Sequence, residues 1–299
     1  MQVTKKAPAK VNLALLVGPT NEEGLHELFT VFVPIDLYDE LHIKLEARLG
    51  DTFAGKLTVK CAAVDGEANL AAQALRLLEE ETGWAFDGRV SIEKHIPVGG
   101  GLGGGSSDAA SALVAGVQAL VEAGGPAPSR DRQVELARRL GADVAFFLDT
   151  RPAIGRGVGE ILEPISLPEL HLVLVTYERH LSTERVYRTY DEMQPFGNRL
   201  VFEHRATDAE KRWRQVADVG QLGRMLENDL EKTVYSIIPQ IATDREVLMR
   251  EGAMAALVSG SGPTLYGLCA VPEKCEELVE RMGMRGFKAR AVTVRPGVA

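Results

Sequence analysis

Cysteine is scarce in this chain: 3 among 299 residues, Cys61, Cys269 and Cys275, with no CxxC pair. That excludes a zinc ribbon or a thioredoxin-type dithiol and leaves ordinary reduced thiols, as expected of a cytoplasmic protein. Long apolar runs are missing as well; nothing reaches the ~18 uninterrupted apolar residues of a membrane span. The opening MQVTKKAPAKVNLALLVG has a basic head and an apolar end. Lys10 and Asn12 interrupt the apolar part and no small-residue cleavage site follows, so a signal peptide is not expected. Positive charge is in deficit, with 34 basic against 42 acidic residues and a net charge of −8. This argues against a general nucleic-acid binder, which carries a basic face. An anionic ligand would have to be held by local dipoles and a few cations. The expected partners are small molecules, with no nucleic acid and no membrane, and the chain is expected to be a monomer or weak homodimer.

What is present is the make-up of a soluble globular protein, 45% hydrophobic and 25% charged, long enough for one large domain or two ordinary ones. Strand-like segments dominate the first third: KVNLALLVG (10–18), ELFTVFVPIDLYDELHIKLE (27–46) and GKLTVKCA. NLAAQALRLLEEETG (69–83) reads as a helix capped by Asn69 and ended by Gly83. GRVSIEKHIP (88–97) reads as a strand, followed by helices at about 106–123 and 128–141. Further on, LHLVLVTYE (170–178) is a strand and STERVYRTYDEM (182–193) a helix with Ser182 as N-cap. The polar stretch FGNRLVFEHRATDAEKRWRQ is either a helix-flanked insertion or a mobile excursion. A helical region from Gly220 breaks at Pro239. The tail reads as one strand (AMAALVSGSGPTLYGLCA), a helix (PEKCEELVERMGMRG) and a last strand (FKARAVTVRP), a β-α-β order found in ferredoxin-like domains.

Glycine is concentrated. In PVGGGLGGGSSDAASAL (Pro97–Leu113) six of the first nine residues are glycine, and an alanine-rich helix follows directly. Bare backbone lets N–H groups approach a ligand closely, and the helix start adds unsatisfied N–H groups and a positive dipole end. Together they make an anion site, with phosphate the usual guest. Ser106 and Ser107 are read as cap-position hydroxyl donors, and Asp108 as dipole compensation. The segment lacks the lysine of a P-loop. It satisfies GxGxxG only trivially, and the strand before it is too polar for a dinucleotide fold.

PVGGGLGGGSSDAAS resembles the phosphate-binding motif of the GHMP kinases. APAKVNLAL (7–15) is similar to that family's N-terminal motif and VSGSGPTLYGL (258–268) to its C-terminal glycine-rich motif, so that the resemblance spans nearly the whole chain. GLHEL, LGADVAFFL, GRGVGE, STERVY and NDLE resemble the branch whose acceptor alcohol is carried on a cytidine diphosphate. The resemblance implies an α+β, two-domain fold: an N-terminal domain like ribosomal protein S5 domain 2 over 1–155 and a ferredoxin-like domain over 156–299, with the site in the cleft. It implies an ATP-dependent phosphotransferase of isoprenoid synthesis, with a small cytidyl diphosphate substrate and Mg²⁺ arriving on ATP. No metal-ligand set is evident from spacing.

The resemblance also assigns residues. Pro97, Gly99, Gly100, Gly101, Leu102, Gly103, Gly104, Gly105, Ser106 and Ser107 bind the ATP phosphates. Asp143 is the base that takes the hydroxyl proton; unaided, it reads rather as a turn cap, since single aspartates after glycine are common. Lys10, in an otherwise apolar strand, pairs with Asp143 and stabilises the developing alkoxide. Asn12, two residues on and on the same strand face, contacts substrate or orients Lys10. Those two residues alone would also suit the wet face of an edge strand. His26 holds the cytosine ring and Tyr187 stacks on it, while Ser261 and Gly262 close over a phosphate. Two positions depart from the pattern: Leu25 stands where tyrosine is usual, and Ala145 where proline is usual. Two alternatives stay open: a GHMP kinase of homoserine or a mevalonate-type alcohol, and a catalytically silent nucleotide sensor.

Overall fold

A computed structural model describes residues 1–50, 56–194 and 198–294. The chain forms two compact units: Met1–Ala9, Leu37–Val98 and Gly103–Thr150 in one, Lys10–Asp36, Gly99–Leu102 and Arg151–Ala299 in the other. They are not consecutive pieces, because two long strands, β1 (Gln2–Thr20) and β2 (His26–Leu49), contribute residues to both. Residues 10–36 and 99–102, which the expected boundary at 155/156 assigns to the first domain, group with the residues from 151 onward.

The first unit holds β3 (Leu57–Cys61), α1 (Leu70–Thr82), β4 (Trp84–Glu93), α2 (Gly104–Glu122), α3 (Arg130–Leu140) and α4 (Ala142–Phe146). β3 runs parallel to β4, and β4 antiparallel to the second half of β2, from Glu40↔Glu93 to Leu49↔Trp84. That half of β2 alternates strictly: Leu41, Ile43, Leu45 and Ala47 are buried and His42, Lys44 and Glu46 exposed, one face to the core and one to water. α1 is bounded as expected. Asn69 Oδ1 accepts from Ala71 N at 2.9 Å, and Gly83 takes the left-handed C-cap. β4 begins four residues before Gly88 and ends at Glu93. Lys94 leaves the strand because its ammonium turns inward to two carboxylates.

The second unit holds β5 (Ala153–Arg156), β6 (Ile161–Pro164), β7 (Leu170–Thr176), α5 (Thr183–Met193), α6 (Arg199–Arg214), α7 (Val219–Gly223), β8 (Glu227–Asn228), α8 (Glu231–Ile237), α9 (Gln240–Arg250), β9 (Ala255–Val258), β10 (Leu265–Cys269), α10 (Pro272–Met284) and β11 (Lys288–Val294). Here β2 pairs with β5, β5 with β6, and β1 runs parallel to β8 at Ala14↔Glu227. A separate antiparallel sheet has the order β11-β7-β10-β9, the 4-1-3-2 arrangement of a ferredoxin-like domain. The stretch expected as one strand, AMAALVSGSGPTLYGLCA, is a hairpin of β9 and β10, because SGSGP is a turn and not strand interior. The region from Gly220 is interrupted by β8 as well as at Pro239. Residues 199–214 are an ordered helix, which settles the polar stretch. Gly55, Phe196, Gly197, Arg295 and Pro296, included in sequence segments above, lie outside the described residues.

Candidate active site

The glycine-rich segment begins against the β9–β10 turn. Thr264 N donates to Gly100 O at 3.3 Å, Ser259 Oγ to Gly101 O at 3.1 Å, and Lys10 N to Leu102 O at 2.9 Å. A trans peptide points its C=O and the following N–H in opposite directions. Anchoring these three carbonyls therefore turns the N–H groups of Gly101, Leu102 and Gly103 away from Thr264, Ser259 and Lys10 respectively. Gly101 is at φ +75°, and a Cβ there would lie 2.3 Å from Ser259 O, so this position requires glycine.

Gly103, with φ +71°, is the N-cap of α2, and the helix starts at Gly104, two residues before the expected Ser106. Ser106 and Ser107 are therefore in the first turn and not at the cap, since a left-handed glycine reverses the chain earlier. Ser107 Oγ is fully buried and has no hydrogen-bond partner among the described residues. Asp108 does not compensate the dipole as expected. Its Oδ2 lies 2.7 Å from Lys94 Nζ, and Lys94 also bonds Asp39, whose other oxygen accepts from His95 N and Ile96 N at 2.6 and 2.8 Å. Burial pushes the Asp108 carboxyl up to about 7 against the pull of Lys94. Lys94 is held charged above its ordinary value, the two aspartates outweighing its own burial. Sequence reasoning missed this cluster; the only signal was a lysine directly after a half-polar strand.

In the second unit, Lys10 is only 4% exposed, and its Nζ donates to Asn12 Oδ1 at 2.7 Å. Asn12 Nδ2 donates to Thr30 Oγ1 at 2.8 Å, which in turn donates to Ala14 O at 2.8 Å. The pair is thus buried and oriented, which removes the reading of a wet edge-strand face. Gly260 closes over it: a Cβ there would sit 3.1 Å from Asn12 Oδ1 and 3.5 Å from Lys10 Nζ. The turn carrying Gly260 is fixed by Asn228, whose Nδ2 donates to Val258 O and Gly260 O at 2.9 and 2.8 Å. Asn228, half-buried at the end of β8, lies in NDLE, a segment to which the sequence alone assigns no role. Ser261 Oγ pairs with Thr183 Oγ1 at 2.9 Å, at the start of α5. Gly262 has φ +72°, in the same turn.

α5 also carries Tyr187, whose ring stacks on His26 with centroids 5.4 Å apart and planes at 25°. The structure thus brings together two residues distant in sequence that were expected to share one base. Tyr190 meets the same imidazole edge-on at 5.9 Å. His26 Nδ1 lies 2.7 Å from Gly18 O. A carbonyl only accepts, so Nδ1 carries a proton. Nε2 is buried and lies 3.0 Å from Asp191 Oδ1, without a hydrogen bond among the described residues. Asp143 sits half-buried in the first turn of α4, in the first unit. Pro97 belongs to the loop leading to Gly99, and Gly105 begins α2 beside Gly104. Ala145 is buried inside α4, where a helical backbone suits alanine.

Comparison with known proteins agrees with this geometry. The family described as GHMP kinases N terminal domain matches residues 69–150, and GHMP kinases C terminal matches 211–285. The chain belongs to the GHMP kinase family. Among its curated relatives, 4-diphosphocytidyl-2-C-methyl-D-erythritol kinase of Thermobifida fusca (strain YX) is 38% identical, over 97% of this chain and 94% of that protein. The enzyme of the same name from Geobacter metallireducens is 39% identical over 91% of each. A crystal structure of 4-(cytidine 5'-diphospho)-2C-methyl-D-erythritol kinase matches with TM-score 0.74 and 34% identity, covering 99% of this chain and all of that one. Homoserine kinase from Cytophaga hutchinsonii shares the fold at TM-score 0.72, with 16% identity.

Proposed function

We propose that the chain transfers the γ-phosphoryl group of ATP to the 2-hydroxyl of 4-diphosphocytidyl-2-C-methyl-D-erythritol, releasing ADP, in the non-mevalonate route to isoprenoids. The observation that carries this reading is the anchored loop: carbonyls of Gly100, Gly101 and Leu102 tied to the protein, and the next three N–H groups turned outward. Phosphoryl transfer asks a protein chiefly for alignment and for charge neutralisation. The outward N–H groups, together with the start of α2, provide both for a polyphosphate. Pro97 and Gly99 lead the chain into that cradle, and Gly104, Gly105, Ser106 and Ser107 continue it.

Asp143 is the base that receives the hydroxyl proton, and Lys10 is the cation that stabilises the developing alkoxide; the family resemblance supplies both roles. Asn12 holds Lys10 and faces the acceptor alcohol. His26, its Nε2 beside Asp191 at 3.0 Å, is the residue that holds the cytosine ring, and the Tyr187 ring gives the base an aromatic face; the family resemblance supplies both roles. Ser261 and Gly262 serve the substrate diphosphate. Mg²⁺ accompanies ATP and takes hard oxygen ligands. Ser107 Oγ fits that need, being a buried hydroxyl without a partner. When bound, the ion neutralises charge on the phosphate oxygens. The one His/Glu group among the described residues with ion-sharing spacing, Glu40, His42 and Glu93, is on β2 and β4 and has no part in the reading.

The chain is placed in the cytoplasm and works without nucleic acid or membrane, as a monomer or weak homodimer. No helix of the described residues is long and apolar enough to cross a membrane. The test is Asp143→Asn. ADP release is expected to fall by about 10²–10⁴-fold, the usual worth of a general base, while calorimetric binding of the cytidyl substrate is retained. Near-normal turnover would remove Asp143 from its role.

A further inference from the structure

We infer that α6 is a brace for the cytosine end of the substrate site: it sets the affinity for the cytidyl substrate through the backbone that aims His26, without touching substrate. The inference rests on the cytosine role of His26 given above.

α6 buries one stripe, Phe202, Ala206, Ala209 and Trp213, at the i, i+4, i+7, i+11 spacing of a single helix face. At the head of that stripe, the Phe202 ring lies directly on Gly18: a Cβ added to Gly18 would meet three ring carbons at 2.8–2.9 Å. Gly18 O is the acceptor that fixes His26 Nδ1, at 2.7 Å. The residue following His26 is held from the same helix, because Arg199 makes a two-pronged pair with Glu27 at 2.9 and 3.0 Å. A second fork runs from Arg205 to Asp229 at 2.8 and 3.0 Å, and Asp229 Oδ2 accepts from Val17 N at 2.9 Å. Residues 17, 18 and 27 are thus all fastened to α6, on both strands leading to the turn that carries His26.

A cavity of about 770 Å³ is lined by Glu22, Glu23, Leu28, Gly157 and Val158 on one side and by Phe202, Glu203 and Thr207 of α6 on the other. Beside the Asn21–Leu25 bonds of the turn and the Leu28 N–Gly157 O bond, the Phe202 and arginine contacts are the hold that α6 has on the backbone next to His26.

The experiment measures steady-state kinetics of the full chain with Phe202→Ala, Phe202→Leu and Arg199→Gln. For Phe202→Ala the KM of the cytidyl substrate is expected to rise about fivefold or more, with kcat and the KM of ATP within about twofold of wild type. Phe202→Leu restores most of the affinity, and Arg199→Gln, at an exposed pair that folding does not need, raises the same KM by about twofold to threefold. An unchanged cytidyl KM in Phe202→Ala, or a loss spread equally over kcat and both KM values, overturns the brace. If Phe202→Ala does not fold, Arg199→Gln decides alone, and an unchanged KM there overturns it. Wild-type protein that fails to turn over the cytidyl substrate at all overturns the functional reading instead, so the two failures are distinguishable.

Discussion

Leu25 is 49% exposed at the turn preceding His26. Its backbone is already fixed, since Leu25 N donates to Asn21 Oδ1 at 3.0 Å and Asn21 N to Leu25 O at 2.7 Å. A larger ring can therefore be accommodated there without rebuilding the turn. An isobutyl group covers a base but offers no π face, whereas base–aromatic stacking contributes about 1–3 kcal/mol. Leu25→Tyr is expected to lower the KM of the cytidyl substrate by about fivefold with kcat unchanged; a KM that stays level or rises takes Leu25 out of the pocket. At Lys94 the physics is different. Asp39 and Asp108 have side chains 0% and 4% exposed and share one ammonium. Removing it strands two carboxyls in a dry setting, and breaking a buried pair costs about 3–5 kcal/mol. Lys94→Met should lose roughly that much in urea unfolding, and a loss under about 1 kcal/mol would mean that the cluster behaves as a surface pair.

Among the elements, the anchored loop and the β9–β10 turn depend on one another. Gly101→Ala puts a methyl group 2.3 Å from Ser259 O at a φ of +75°, which a side chain tolerates only with strain of about 1–2 kcal/mol on top of the clash. The loop must lift off its anchors, and the N–H groups lose their common aim. Calorimetry should show ATP binding weakened at least about tenfold, with the far-ultraviolet circular dichroism of the folded chain preserved; unimpaired ATP binding would separate the loop from the nucleotide. How far such elements can be read from sequence depends on the range of the interactions that make them. α1, with Asn69 and Gly83 at its ends, is specified by neighbours in the chain and was legible. So was the ferredoxin-like tail in outline. The SGSGP hairpin was read as one continuous strand because its flanks are equally apolar, and only pairing across β9 and β10 tells two strands from one. Lys10 and Asn12 were legible as a polar pair on one strand face. Their burial was not, since Thr30, Gly260 and Asn228 reach them from 18 to more than 200 residues away. The start of α2 was misplaced by two residues because a left-handed glycine among six cannot be singled out without coordinates.

For the molecule as a whole, the fold leaves the acceptor open. Homoserine kinase at TM-score 0.72 and a mevalonate kinase from Methanococcus jannaschii at 0.69 share the architecture at 16% and 12% identity, and a fold of this kind hosts several acceptors. Discrimination has to come from the side chains that meet the part of the substrate that does not react. Binding energy gathered there is what a kinase spends on placing the hydroxyl. On the proposed reading that task falls to the His26 edge and the Tyr187 ring, which lie 5.4 Å apart. Neither homoserine nor mevalonate carries a base to occupy them. A site built to hydrogen-bond its ligand also rejects analogues that leave its polar groups unpaired, typically by 10⁴-fold or so. Coupled-assay ADP release should therefore be fast with 4-diphosphocytidyl-2-C-methyl-D-erythritol and at background with homoserine and mevalonate. His26→Ala should raise the KM for the first by about tenfold or more without creating activity on the other two. Release with homoserine or mevalonate alone would reassign the acceptor while leaving the phosphate loop in its role. No release with any of the three, alongside intact ATP binding, would instead favour the nucleotide sensor.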